Sequence, residues 1–345
     1  MTQERTQATA DTGRYDVVVV GGGAAGLNAA LMLARARRSV LVLDAGEPRN
    51  APADAVHGLL GREGTPPAEL LARGREEVRE YGGEVVTARV DDVSRAGAGG
   101  FTVTTAEGRV VEARRVLVTT GLVDELPDVP GVREQWGHGV VHCPYCHGWE
   151  VRDRAIGVLA GGPMSVHQAL LFRQWSDDVV FFARGTTLSD DDRERLLARG
   201  IRIVEGEVAA VDVDGARITG VRSADGSTTT RDVVVAGPRM TVRAGFLAGV
   251  GLYPGEHPSG AGDHLAVDGR GETDVAGVWA AGNVTDPSAQ VGGAAAAGAF
   301  TAAQLNGDLV QEETRLAVAA YRESADRDSA PSDSAPSDSA VATAG

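Results

Sequence analysis

The run YDVVVV at Tyr15–Val20 passes directly into Gly21-Gly22-Gly23-Ala24-Ala25-Gly26, then through LNAALMLARARR to a second apolar run, Ser39–Leu43, closed by Asp44. A short apolar run that ends on glycine reads as a buried parallel strand, and the stretch after the glycines carries apolar residues at helical spacing. Strand, glycine turn, helix, strand and acid form the setting in which G-x-G-x-x-G binds a dinucleotide. Gly21 permits the tight turn, Gly23 lets the backbone approach a pyrophosphate, and Gly26 lets helix and strand pack closely. Ala24 and Ala25 open the helix, whose free N–H groups face the phosphates. Asp44 is placed to accept a hydrogen bond from a ribose hydroxyl.

Outward from this unit the chain repeats the pattern in weaker form. Ala155–Ala160 reads as a strand, followed by Gly161-Gly162-Pro163-Met164-Ser165, a helix through Trp175 and a strand at Val179–Phe182. Ile201–Val204 and Val233–Ala236 supply more sheet. The first fourteen residues are polar, lack the apolar stretch of a signal peptide and read as flexible. From Ser324 to Gly345 the chain turns Ser/Ala/Asp/Pro-rich and reads as a disordered tail, because it cannot bury enough apolar surface to offset chain entropy.

Composition excludes several classes of function. The 345 residues carry 33 basic and 48 acidic side chains, a net charge of −15. Such a chain, with no basic block, is a poor partner for nucleic acid or an anionic membrane. It contains no lysine, so Schiff-base chemistry and Walker-type phosphate binding are ruled out. No apolar run approaches the ~20 residues of a membrane span, and a cytoplasmic location is expected.

Only two cysteines occur, Cys143 and Cys146, spaced C-x-x-C. A disulfide framework needs more cysteines, and zinc needs two further ligands, for which His138, His142 and His147 are the neighbours. A redox-active dithiol fits better, because a C-x-x-C turn holds two sulfurs near bonding distance and lowers one thiol's pKa. We therefore expect no resident metal. His147 is the candidate base for an incoming thiol, since imidazole exchanges protons near neutral pH; the alternative is that it only positions the turn. His138 and His142 read as loop or structural residues. His57, His167, His257 and His264 have no motif around them.

Two later segments carry a resemblance. Arg115-Val-Leu-Val-Thr-Thr120-Gly121, followed by Pro127 and Pro130-Gly131, looks like the end of the first half of an FAD domain. Gly277-Val-Trp-Ala-Ala-Gly282-Asn283-Val284, followed by Gln290, Val291 and a Gly/Ala-rich helix over 292–303, looks like the late flavin segment of the same domain. With C-x-x-C in the inserted region, this order resembles low-molecular-weight thioredoxin reductases over residues 15–313. The resemblance implies an α/β fold of two Rossmann-like domains. One is a discontinuous FAD domain, 15–126 and 244–320. The other is an inserted, degenerate NAD(P)H-type domain, 127–243, that carries the C-x-x-C. It also implies FAD as cofactor, held at Gly21, Gly23, Ala24, Ala25, Gly26, Asp44, Thr120, Gly121, Gly282, Asn283, Gln290 and Val291. Asn283 stands where the family usually has Asp.

Three departures from the reductases matter. The second glycine motif reads Ala160-Gly161-Gly162-Pro163-Met164-Ser165, with Ala at the turn glycine and a proline that removes a phosphate-facing N–H. The basic cluster that holds a 2′-phosphate shrinks to Arg184, followed by Asp190, Asp191 and Asp192. His147 replaces the Asp that usually follows the second Cys. The octet CPYCHGWE instead resembles the FAD-dependent dithiol oxidases of the gliotoxin and holomycin type. That branch implies a homodimer with catalytic Cys143, Cys146 and His147, a small-molecule dithiol as substrate and molecular oxygen in place of NADPH, yielding hydrogen peroxide. By the same resemblance Cys143 faces outward and Cys146 lies beside the flavin. A thioredoxin reductase fed by NADPH or another donor is the competing expectation, and a redox sensor without turnover is the third.

Overall fold

The computed structural model describes residues 13–97 and 99–329. The flexible start expected over residues 1–12 and the disordered tail from residue 330 onward lie outside the described residues. Arg14, assigned to that flexible start, opens the first strand instead, because it pairs with Glu112.

The first sheet gathers strands from both ends of the chain. Arg14–Val20 sits between Val40–Asp44 and Val110–Val118, parallel to both, and Glu84–Thr87 extends the sheet beyond Val40–Asp44. On the other side Val110–Val118 takes two partners. Val278–Ala280, far downstream in the chain, joins it in parallel, with Val278 opposite Val116 and Ala280 opposite Val118. Phe101–Thr105 and Val90–Arg95 continue antiparallel. One face packs Val18, Val20, Phe101, Val116 and Leu247, and the other packs Val17, Val19, Leu33, Leu117, Trp279 and Leu305. Burial on both faces explains why Val17–Val20 is apolar at every position rather than alternating.

The helices Ala24–Arg35 and Val291–Ser329 cross on the second face, tied by Asn28 Nδ2 donating to Ala295 O at 2.7 Å. The late helix runs well past the stretch expected from its Gly/Ala content. Its polar continuation is pinned by ion pairs: Arg115 to Asp308 and Glu312, Arg114 to Glu312 and Glu313, and Arg38 to Glu313, with Arg114 also tied to Asp16 of the first strand. It carries on through Ser324–Ser329, where composition alone points to disorder.

The second sheet is parallel throughout, in the order Arg202–Val204, Val179–Phe182, Ile156–Leu159, Val233–Ala236, Val140–Val141. The chain enters this half through Leu122–Glu125 and returns through Arg239–Val242, and the two segments pair antiparallel. A three-stranded antiparallel sheet, Val208–Asp214, Arg217–Ser223 and Thr228–Thr229, covers the second sheet through Val211, Ile218 and Val221. Among the described residues no helix is long and apolar enough to cross a membrane.

Candidate active site

A cavity of about 1160 Å³ opens between the two sheets at the carboxyl ends of their strands. Ordinary small-molecule pockets span roughly 300–1,000 Å³, so this one has room for a dinucleotide. Gly21, Gly23, Ala24, Ala25, Asp44, Thr120, Gly121, Asn283, Gln290 and Val291 all line it. Gly26 and Gly282 stand behind the wall. A Cβ on Gly26 would overlap the Gly21 carbonyl oxygen and come within 2.6 Å of Thr119 Oγ1, so this glycine serves helix–strand packing. A Cβ on Gly23, by contrast, meets no protein atom within 4 Å and points into open space.

One polar group of this cradle lacks a partner, and the others are held in place. Thr120 Oγ1 is buried and makes no hydrogen bond among the described residues, which suits a wall awaiting a polar ligand. Asp44 accepts from Arg75 at 3.0 Å through Oδ2 and from Gly46 N at 3.3 Å through Oδ1, an arrangement that keeps its carboxylate fixed at the cavity. Asn283 Nδ2 donates to Asp286 O (3.1 Å) and Ala289 O (2.8 Å). Both amide protons are spent inside the turn, so its Oδ1 suits a ribityl hydroxyl and not a phosphate. These residues fit FAD.

On the opposite wall Cys143 and Cys146 are joined in a disulfide with Cα atoms 5.2 Å apart. Cys143 caps the short helix Pro144–His147, and Cys146 N donates to Cys143 Sγ at 3.2 Å. A backbone N–H on this sulfur stabilises its thiolate once the disulfide opens. His147 lines the same cavity; its Nδ1 is buried without a partner among the described residues. Burial pushes its pKa below the ordinary imidazole value, Glu150 and Asp54 pull it back up, and His57 and His138 push it further down. The ring is therefore neutral at pH 7 and competent as a base. His142 has a different role. Gln168 Nε2 donates to its Nδ1 at 3.1 Å and to its carbonyl at 2.5 Å, and burial lowers its pKa, so it is a fixed neutral group behind the turn. Among the described residues no group of three or more His, Cys, Asp or Glu side chains is placed to hold a metal ion.

The second glycine loop is filled from within. Ser165, at the first turn of the helix Ser165–Phe172, accepts hydrogen bonds from Gly161 N (2.9 Å) and Gly162 N (3.1 Å). Arg184, the one cation expected to meet a 2′-phosphate, adopts φ +49° and turns inward to donate to Ala160 O at 2.8 Å. The acidic run Asp190–Asp192 is the first turn of the helix Asp190–Ala198, capped by Ser189, where it complements the helix dipole. That local role is not visible in the sequence, which suggests only repulsion of phosphate.

The site also contains residues that sequence reasoning passes over. His57 lines the cavity, and Glu63 holds its ring. Both lie in an irregular loop where periodicity carries no signal.

Fold and site together define a dinucleotide-binding protein with a disulfide in the wall of the same cavity. The sequence profile of the pyridine nucleotide-disulphide oxidoreductases matches residues 15–323, and the chain belongs to that family. It is an oxidoreductase acting on sulfur groups, and its cofactor is FAD. Thioredoxin reductase sirT of Leptosphaeria maculans is 31% identical over 310 residues, covering 85% of this chain and 93% of that protein. Thioredoxin reductase tcpT of Claviceps purpurea is 31% identical over 287 residues, 78% of this chain and 86% of the relative. Among solved structures, HlmI superposes with a TM-score of 0.84 at 48% identity, covering 90% of this chain and 97% of HlmI. An oxidoreductase from Agrobacterium tumefaciens gives 0.80 at 35% identity, covering 86% and 99%.

Proposed function

We propose that this protein oxidises a small-molecule dithiol to its disulfide, with oxygen as the final acceptor. The observation that carries the proposal is the second glycine loop: the hydroxyl of Ser165 occupies its amides and Arg184 is turned inward, while the disulfide shares a cavity with the FAD cradle. A pyrophosphate arriving there meets spent donors and Pro163, which has none. FAD held at Gly21, Gly23, Asp44, Thr120 and Asn283 would supply the two-electron link between the reduced cysteines and oxygen, with hydrogen peroxide as the expected by-product.

The protein's own residues perform the thiol exchange. His147 takes the proton of a substrate thiol, and the thiolate attacks Cys143 Sγ. The Cys143–Cys146 bond breaks and Cys146 leaves as a thiolate. The second substrate thiol then attacks the substrate sulfur of the mixed disulfide, releasing product and a Cys143 thiolate. In this second step the Cys146 N–H stabilises the departing Cys143 thiolate. Two electrons thus pass from substrate to the cysteine pair, and two protons pass to His147 and water. A homodimer, a cytoplasmic location, and a division into FAD-binding halves 15–126 and 244–320 around an inserted unit 127–243 belong to the same proposal.

Thioredoxin reduction is the second reading, favoured by the names of the fungal relatives. The two readings part on oxygen uptake. Under the proposal, a small dithiol in air consumes oxygen and releases about one peroxide per disulfide formed, with no dependence on NADPH. Thioredoxin reduction driven by NADPH, without dithiol-dependent oxygen uptake, would establish the reductase.

A further inference from the structure

The loop that follows Val56 brings a second imidazole to the redox turn. His57 Nδ1 lies 2.6 Å from Glu63 Oε1, and Gly58 N donates to Glu63 Oε2 at 2.8 Å. Both oxygens of one carboxylate are used, so the ring is fixed in orientation. Its other nitrogen, Nε2, faces Glu150 Oε1 at 3.6 Å. Glu150 closes the octet that carries Cys143, Cys146 and His147. His57 lines the cavity with Cys146 and His147. A chain of carboxylate, imidazole and carboxylate therefore leads from the exposed Glu63 to the redox turn.

We propose that His57, oriented by Glu63, is a positioning residue that acts through Glu150 on the proton affinity of His147. The proposal rests on reading His147 as the acid–base group of thiol exchange. When His147 takes a proton from a substrate thiol, Glu150 is the nearby carboxylate that favours the imidazolium. A protonated His57 competes for that same carboxylate and also repels the imidazolium directly. The other titratable groups facing His147 are Asp54, which favours its proton, and His138 and His142, which oppose it. A general base works best when its pKa lies near or just below the working pH, and the competition for Glu150 sets where it lies. Protons collected at the turn have an exit toward solvent, since Glu63 is 65% exposed.

Three substitutions test this by direction. His57→Gln removes the competitor and frees Glu150, so His147 should titrate higher, and by clearly more with Glu150 present than in the Glu150→Gln background, where only direct repulsion by His57 is relieved. Glu150→Gln removes the favourable carboxylate, so His147 should titrate lower. Glu63→Gln keeps an oxygen for Gly58 N–H but weakens the hold on His57, so it should shift His147 upward by less than His57→Gln does. A single charge a few ångströms away through partly wet surroundings shifts a pKa by about 0.3–1 unit. The readout is the imidazole titration of His147 by NMR in the oxidised holoenzyme, assigned with His147→Asn. It needs neither substrate nor oxygen, so it stands apart from whether the protein is an oxidase, which oxygen uptake decides. The acid limb of kcat/KM for dithiothreitol should move in the same opposed directions. Shifts of the same sign in His57→Gln and Glu150→Gln, or none in either, would overturn the proposal. If His57→Gln does not fold, Glu63→Gln against Glu150→Gln decides the same question, with opposed shifts supporting the proposal and shifts of one sign overturning it.

Discussion

Two glycines of the first loop should fail in opposite ways. Gly26→Ala places a methyl onto the Gly21 carbonyl oxygen and within 2.6 Å of Thr119 Oγ1, which itself donates to Gly21 O at 2.8 Å. Overpacking a tight contact costs about 1–3 kcal/mol. Disrupting the buried Thr119 bond adds about 1–3 kcal/mol. The loss of roughly 2–6 kcal/mol is a large share of a net stability of about 5–15 kcal/mol. At about 2–4 °C per kcal/mol, Tm should fall by roughly 4–24 °C. Gly23→Val is different. Its backbone is extended (φ −80°, ψ −170°), which any residue adopts, and its Cβ meets nothing within 4 Å. The lost N-cap preference is worth at most about 1 kcal/mol, so the flavin-free protein should melt within a few degrees of the parent. Its side chain occupies the space where the pyrophosphate belongs, so flavin content should fall by about tenfold or more, at ~1.4 kcal/mol per factor of ten. The assay is flavin absorbance of purified protein, followed by thermal melts of flavin-stripped samples, because bound cofactor itself raises Tm. Ordinary flavin content in Gly23→Val, or an unchanged flavin-free melt in Gly26→Ala, would refute the reasoning.

Other consequences follow from the same geometry. Neither Cys146→Ser nor Cys143→Ser keeps a disulfide to exchange, so neither should oxidise a reduced dithiol. Given an already oxidised small-molecule disulfide, Cys146→Ser should take half of it on Cys143 as a mixed disulfide visible by mass spectrometry and release the other half as thiol, whereas Cys143→Ser should take none. Wild-type turnover in either variant would contradict the exchange. His147 is held below the ordinary imidazole value, mainly by burial, so it remains a neutral base to somewhat lower pH than a free histidine. His147→Ala should therefore slow dithiol oxidation most near and below pH 7 and recover in part at high pH, where the substrate thiol ionises unaided; a uniform loss across pH would favour a purely positional role. Arg38 and Arg114 pull the Glu313 carboxyl down from 4.5 to about 2. A depressed acid stabilises the fold fully above its unfolded pKa, so this contribution should fade as pH falls from about 4.5 toward 2, and Glu313→Gln should show a shallower loss of Tm between pH 5 and 3.

Much of the architecture is legible in the sequence, because the first strand, its glycine turn and Asp44 are local features whose spacing is set by backbone geometry. Strand ends differ by a residue or two: Val40–Asp44 stands where the apolar run suggests Ser39–Leu43, since the ladder with Glu84–Thr87 extends to Asp44. The late helix is longer than expected because its continuation depends on Arg38, Arg114 and Arg115, residues far away in the chain. The cysteine pair and His147 can be found from their motif. His57 and Glu63 cannot, because a loop has no period and their meeting with Glu150 is purely tertiary. The second glycine loop shows the same limit. Its sequence reveals missing glycines and cations, but only the fold shows that Ser165 takes the amides and that Arg184 faces inward.

The most direct test of the central claim is the absorbance of the oxidised flavin under anaerobic conditions, after millimolar NADPH and, separately, after a small dithiol. The dithiol should bleach the flavin, and admitted air should restore it with release of peroxide. NADPH should leave the spectrum unchanged, because losing two or three charge-assisted bonds of about 1.5–3 kcal/mol each weakens nucleotide binding by several powers of ten. Rapid bleaching by NADPH, with the dithiol inert, would contradict the assignment as a dithiol oxidase.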